Sequence, residues 1–241
     1  MKKLFRTLII VAICGATIGM VSCKKDKDDD AAVVINGYEF VDLGLPSGLL
    51  WAKCNLGAVS PEDYGNKYGW AETQSRYGDE LYNNDNIYIM SDTSIYDSEL
   101  GGYVPFIYKY NTWPKCGTVD NKTTLEPSDD AATAALGKGA HIPTYDDFAE
   151  LINYTEGHWT TQNGEYGIKF VSSNGNSIFL PAAGTSNDYK GTSCCYWSSS
   201  LGIDYPWNAM SLGGNYFEND IELVETGREG HNSIRAVYSA L

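Results

Sequence analysis

The chain has 241 residues, a formal charge of −14, and an aromatic-rich composition with 18 Tyr, six Trp and 25 Gly. That charge excludes nucleic acid as a partner, because phosphate binding depends on Lys and Arg that displace counterions. It suits a soluble, self-repelling surface, and the Tyr, Trp and Gly content predicts strands, turns and aromatic loops rather than long helices.

Residues 1–22 read as a lipoprotein signal peptide. Lys2, Lys3 and Arg6 form a positive start, and Leu8 to Met20 an apolar run. At about 1.5 Å per residue, that run is too short to cross a roughly 30 Å hydrocarbon core comfortably. Without the three leader cations the charge becomes −17. Met20-Val21-Ser22-Cys23 resembles a lipobox, in which the Cys23 thiol is lipidated and becomes the first residue of the mature chain. Sulfur suits that role as a strong nucleophile, and two or more acyl chains make a stable anchor. Residues 23–32, with Lys24-Lys25-Asp26-Lys27-Asp28-Asp29-Asp30, read as a solvated tether. The run also resembles the acidic export tether of Bacteroidetes lipoproteins. That likeness implies the outer membrane, with the protein facing the cell exterior.

Residues 33–241 are expected to form one domain. Asn36-Gly37 between Val33-Val34-Ile35 and Tyr38 to Val41 predicts a hairpin. Leu49 to Ala52 predicts a buried strand. Ser60-Pro61-Glu62-Asp63 carries a helix start: Ser as cap, Pro at the first position, acids facing the positive end of the dipole. Residues 74–126 lack a sustained period and read as a long surface insertion with short strands, Phe106-Ile107-Tyr108 among them. Ser128 is the expected cap of a short helix ended by Gly137, and Thr144 the cap of a second. In the second, Phe148, Leu151 and Ile152 form an apolar stripe. Asn174-Gly175 predicts a hairpin between Tyr166–Val171 and Ile178–Leu180, and Tyr196–Ser200 the next strand. Ile178, Phe179, Leu180 and Trp197 are expected to be buried together beneath the helical stripe. Trp207–Leu212, a Gly213-Gly214 turn, Tyr216–Val224 and Ile234–Tyr238 complete the chain.

Val41 to Asn55, with the run Asp42-Leu43-Gly44-Leu45-Pro46-Ser47-Gly48, and Tyr68-Gly69-Trp70-Ala71-Glu72-Thr73 resemble the opening of the Fibrobacter succinogenes major paralogous domain family. Asp130-Ala131-Ala132, Ile142-Pro143-Thr144, Leu180 to Gly184, Tyr196 to Ser200 and Ile234 to Val237 carry the same resemblance, which spans about residues 33–238. The resemblance implies an α+β, C-type-lectin-like fold: twisted antiparallel sheets, two or three short helices and long loops. It also implies a likeness to formylglycine-generating enzymes. Those need a reactive Cys pair near the closing strands, and no Cys follows Cys195.

The residues themselves point away from catalysis. His141, His158 and His231 share no metal-like spacing and read as turn or surface residues. Ser198, Ser199 and Ser200 lack a nucleophile elbow. Glu218-Asn219-Asp220 and Asn187-Asp188 offer hard oxygens, but no full calcium loop accompanies them, so surface acids are the default. Cys54 with Cys116 in a disulfide, or free buried thiols, both fit Cys54, Cys116, Cys194 and Cys195. No cofactor or metal is expected.

Tyr205, Trp207, Asn208, Asn215, Tyr216 and Asn219 are the candidate ligand-binding residues. Aromatics with Asn in loops stack on apolar faces and hydrogen-bond polar groups. The loops from Ile203 to Asn208 and from Gly213 to Asp220 are expected to form one exposed surface; burial of Trp207 and Tyr216 in the core is the competing expectation. The expected function is a non-enzymatic surface lipoprotein with a glycan or protein ligand, held to the membrane through Cys23. The alternative is a structural subunit of a surface assembly such as a pilus tip, joined by strand addition.

Overall fold

A computed structural model describes residues 32–77, 86–185 and 189–239, with backbone alone for 90–93. Cys23, nearly all of its tether and Asn187-Asp188 lie outside the described residues. In chain order the first strands are β1 (Ala32–Ile35), β2 (Tyr38–Asp42), β3 (Leu50–Ala52), β4 (Tyr68–Gly69), β5 (Ile89–Asp97) and β6 (Gly102–Ile107). Then come helix α1 (Ala131–Leu136), β7 (Ala140–His141), helix α2 (Tyr145–Tyr154), β8 (Thr155–Gln162), β9 (Glu165–Ser172) and β10 (Ser177–Pro181). The chain ends with β11 (Ser193–Leu201), β12 (Asn208–Asn215), β13 (Glu222–Gly227), β14 (His231–Asn232) and β15 (Val237–Tyr238).

Every ladder between these strands is antiparallel. With two α-helices among the described residues, the fold is α+β and mostly sheet. A five-stranded sheet runs β1-β2-β3-β15-β7. Two three-stranded sheets run β10-β9-β8 and β11-β12-β13, and β4 with β14 and β5 with β6 form pairs. Asn36 and Gly37 adopt φ of 51° and 86°, the two positive values a tight hairpin turn needs.

Strand alternation divides the core in two. Phe40, Ala52, Trp197 and Ala236 join Trp70, Tyr110 and the α1 residues Ala131, Ala132 and Leu136 on one side. Their neighbours Val41, Trp51, Tyr196 and Val237 join Phe148, Leu151, Ile168, Phe170, Ile178 and Leu180 on the other. Successive side chains of a strand point to opposite faces, so each helix is packed on its own face. Trp197 therefore lies in the core opposite the Phe148 stripe, and Phe179, 3% exposed, belongs to neither cluster. The expectation that these residues share one core is corrected by the two-residue period.

Of the three helix starts read from the sequence, one forms as read and two do not. Thr144 forms a full capping box with Asp147 on α2, as read, and Ser200 Oγ accepts the N–H of Tyr145 at 3.0 Å. For α1 the cap is Asp130, not Ser128: its carboxylate accepts from Thr133 N at 2.8 Å and Ile142 N at 2.8 Å. No helix follows Ser60. The Asp63 carboxylate accepts from Ser60 N at 3.0 Å, and Asn66 N returns to Leu56 O at 2.9 Å, so the chain turns back. Gly65, at a φ of 68°, allows that reversal and ends the turn before a helix can continue.

Gly213-Gly214 is no turn. Both lie inside β12, opposite Cys195 and Cys194. A Cβ on Gly214 would meet Asp220 O at 2.9 Å, Ile168 Cδ1 at 3.1 Å and Trp159 Cζ2 at 3.1 Å. Close packing, not chain reversal, requires glycine there. β8 was absent from the sequence reading. It is mostly exposed or half-buried and lacks alternation. Residues 86–126 do more than cover the surface: Tyr110, Asn111, Ile107 and Cys116 are fully buried. Asp129 holds this segment to α1, accepting from Tyr88 Oη at 2.9 Å, Lys109 Nζ at 2.5 Å and Tyr110 Oη at 2.5 Å. Burial opposes the Asp129 charge, but these three donors outweigh it and hold its pKa below the usual value.

Candidate functional site

The six sequence candidates fall at opposite ends of β12. Tyr205 and Trp207 sit in the β11–β12 connection and Asn208 opens β12; Asn215 closes β12, and Tyr216 and Asn219 sit in the β12–β13 connection. Seven steps of strand run from Asn208 to Asn215, roughly 23 Å at about 3.3 Å per step. The expected single surface is therefore two.

At the first end Tyr205 and Trp207 stack, with centroids 4.8 Å apart and planes at 20°. Trp113, from the segment that had no legible period, stands edge-on to both at 5.7 Å. Trp207 is half-buried and packs on Val104, Ile107 and Cys116. Tyr205 is 37% exposed. Trp207 is thus the support of this platform, and Tyr205 its open face. Asn208 Nδ2 donates to Glu225 at 3.0 Å, and Asp204 N donates to the same carboxylate at 2.6 Å. Beyond Trp113 a cleft of about 350 Å³ is lined by Asp97, Glu99, Leu100, Trp113, Pro114 and Lys115. Lys115 Nζ lies 2.6 Å from Glu99 and 3.1 Å from Asp97.

Arg228 assembles this end. It is fully buried, with its guanidinium 4.7 Å from the Trp70 ring centroid. It donates to Pro206 O at 2.9 Å, Tyr110 O at 3.2 Å and Lys109 O at 3.3 Å, while Trp207 O accepts its backbone N–H at 3.0 Å. One side chain therefore joins the loop carrying Tyr205 and Trp207 to the segment carrying Trp113. Burial pulls its pKa down; carbonyl acceptors and an aromatic face compensate the cation.

At the second end Tyr216 meets Tyr166 at 4.9 Å and Trp159 at 6.0 Å, with Phe217 78% exposed beside it. Asn215 Oδ1 accepts from Phe217 N at 2.9 Å, and Asn219 has a φ of 53°. Both asparagines shape the turn. Asp220 accepts from Asn215 N through its carboxylate and from Trp159 Nε1 through its carbonyl.

A larger cleft, about 660 Å³, is lined by Tyr38, Cys54, Asn55, Val59, Tyr68 and Leu136, with other residues between them. Burial raises the Cys54 pKa, which keeps it in the unreactive thiol form. Cys54, Cys116, Cys194 and Cys195 are all free. Among the described residues no three His, Cys, Asp or Glu side chains are placed to hold a metal. His231 is 1% exposed on β14, which corrects its reading as a turn or surface residue: the β4 pairing carries it inward. The sequence reading missed Trp113, Arg228 and Glu225, none of which stands in a motif. No family model, no curated protein and no solved structure matches the chain.

Proposed function

We propose that this chain is a non-enzymatic, lipid-anchored protein of the outer membrane surface that binds a glycan or protein ligand. In this reading Cys23 carries the anchor, residues 23–32 the tether, and residues 33–241 a C-type-lectin-like domain of the Fibrobacter succinogenes major paralogous type. The observation that supports binding is the Trp113–Tyr205–Trp207 platform. It sits at a strand end, braced from beneath by a buried cation and continuous with a cleft. Loops fixed on a rigid scaffold are where binding residues concentrate. The test is a glycan and protein array probed with the whole chain extracted in detergent. Signals lost with Tyr205→Ala and kept with Tyr216→Ala support the reading; an array with no Tyr205-dependent signal refutes it. For the anchor, Cys23→Ala should release the protein from the membrane fraction, and labelled palmitate on that variant would sink lipidation.

The second reading, a subunit joined by strand addition, draws on β1. It is an edge strand with Val33 43% and Val34 65% exposed, and it bears no charge or Pro to block pairing. Val34→Lys should then abolish assembly while leaving the monomer folded, as read by crosslinking on intact cells.

A further inference from the structure

We infer that the ligand of the Trp113–Tyr205–Trp207 platform is a neutral glycan, with one sugar ring on the open face of Tyr205 and the chain continuing past Trp113 into the adjoining cleft. This rests on the binding function proposed above. The ring geometry comes first. Trp207 covers one face of Tyr205 at 4.8 Å, so the exposure of Tyr205 belongs to its other face and edge. An aromatic face held flat and fixed is matched by the C–H face of a pyranose, which is apolar and slightly positive against the negative π face. Trp113 touches both platform rings and also walls the cleft, so the two surfaces are continuous. The cleft's volume of about 350 Å³ lies within the range of small-molecule sites. A ligand of more than one ring thus meets contiguous protein.

The polar rim selects the class. Asp97 accepts from Glu99 N at 2.8 Å and Leu100 N at 3.1 Å and also faces Lys115. Glu99 is paired with Lys115 at 2.6 Å, and Glu225 is held by Asp204 N and Asn208. A cationic peptide would have to displace these internal donors to reach the carboxylates. A polyanion would meet an excess of acid over the one rim lysine, on a chain whose formal charge is already −14. Hydroxyl groups donate and accept at once, so they fit a rim of mixed, already oriented groups without displacing a charge.

The experiment is native affinity electrophoresis of the whole chain in detergent, through gels containing galactomannan, xyloglucan or laminarin. Homogalacturonan serves as the polyanion and polylysine as the polycation. At least one neutral polysaccharide should retard the protein, equally at low and high salt, since no charge pair is screened. Tyr205→Ala should weaken that retardation about tenfold or more. Tyr205→Phe, which keeps the ring and guards against a folding defect, should retain it, as should Phe217→Ser at the other end. Salt-sensitive retardation by homogalacturonan or polylysine alone would overturn the glycan class while leaving a binding protein. So would a Tyr205-dependent array signal confined to proteins. Absence of retardation in every gel, with an array blank for Tyr205 dependence, would overturn both this inference and the binding function.

Discussion

The two ends of β12 look alike in composition and differ in construction. Each gathers aromatics and asparagines, and a buried cation packs on the strands toward each end. Arg228 underlies the Tyr205 end with three carbonyl acceptors and an aromatic face. Lys67 lies near Cys194 and Cys195, which pair with Gly214 and Gly213 toward the Tyr216 end, and donates to Gly184 O at 2.5 Å. Burial brings the Lys67 pKa down to about 8. The difference teaches why guanidinium and ammonium are not interchangeable in a dry site. A planar fork ties several backbone segments together, whereas a compact ammonium is more strongly hydrated and gives up its proton readily when buried. The Arg228 end is therefore a braced platform, and the Tyr216 end a packed turn.

The largest expected effect separates the braces. Arg228→Ala strips donors from the Lys109, Tyr110 and Pro206 carbonyls, at about 1–3 kcal/mol for each buried group left unsatisfied. Denaturant unfolding should show a loss of at least about 3 kcal/mol. Near-UV circular dichroism should lose the Trp113–Trp207 contribution; an unaltered spectrum would refute the bracing role. Next comes pH. Between about 8 and the ordinary 10.5, the unfolded chain keeps the Lys67 proton that the folded chain has released. Wild-type stability should gain up to about 3 kcal/mol across that window, a gain that Lys67→Met lacks. The comparison is read as the difference between the two proteins, which cancels the titration of tyrosines. A constant difference from pH 7 to 11 would mean that Lys67 is not desolvated.

Trp207→Ala should cost roughly 2 kcal/mol and Tyr216→Ala about 1, because Trp207 packs on the Val104–Ile107–Cys116 cluster and Tyr216 on other exposed or half-buried rings. Equal losses would erase the distinction between support and turn. The smallest effect is Phe217→Ser, within about 0.5 kcal/mol of wild type, since the ring is 78% exposed.

Legibility in the sequence followed the range of the interactions. Asn36-Gly37, Asn174-Gly175 and the Thr144 cap are set by residues within three or four positions, and each formed as read. Ser60-Pro61 was a sound local signal that the reversal through Gly65, with Asn66 N bonded back to Leu56 O, overrode. The Gly213-Gly214 pair misled because small residues mark either a reversal or a tight approach, and the neighbours that decide, Ile168 and Trp159, lie more than forty positions upstream. Tyr205, Trp207 and Asn208 were visible as candidates. Their division from Asn215, Tyr216 and Asn219 was not, because strand length set it. Trp113 and Arg228 carry no local signature at all; only the folded chain brings them to the site.

The position of β15 governs when this protein can fold. Val237 pairs with Trp51 on one side and His141 on the other, and Arg235 donates to Ala52 O, Lys53 O and Phe179 O. The sheet therefore stays unfinished between β3 and β7 until β15 has been made. Sheets closed by such distant partners form slowly. For the exported lipoprotein proposed above, that delay would keep the sheet open until β15 has followed the earlier strands.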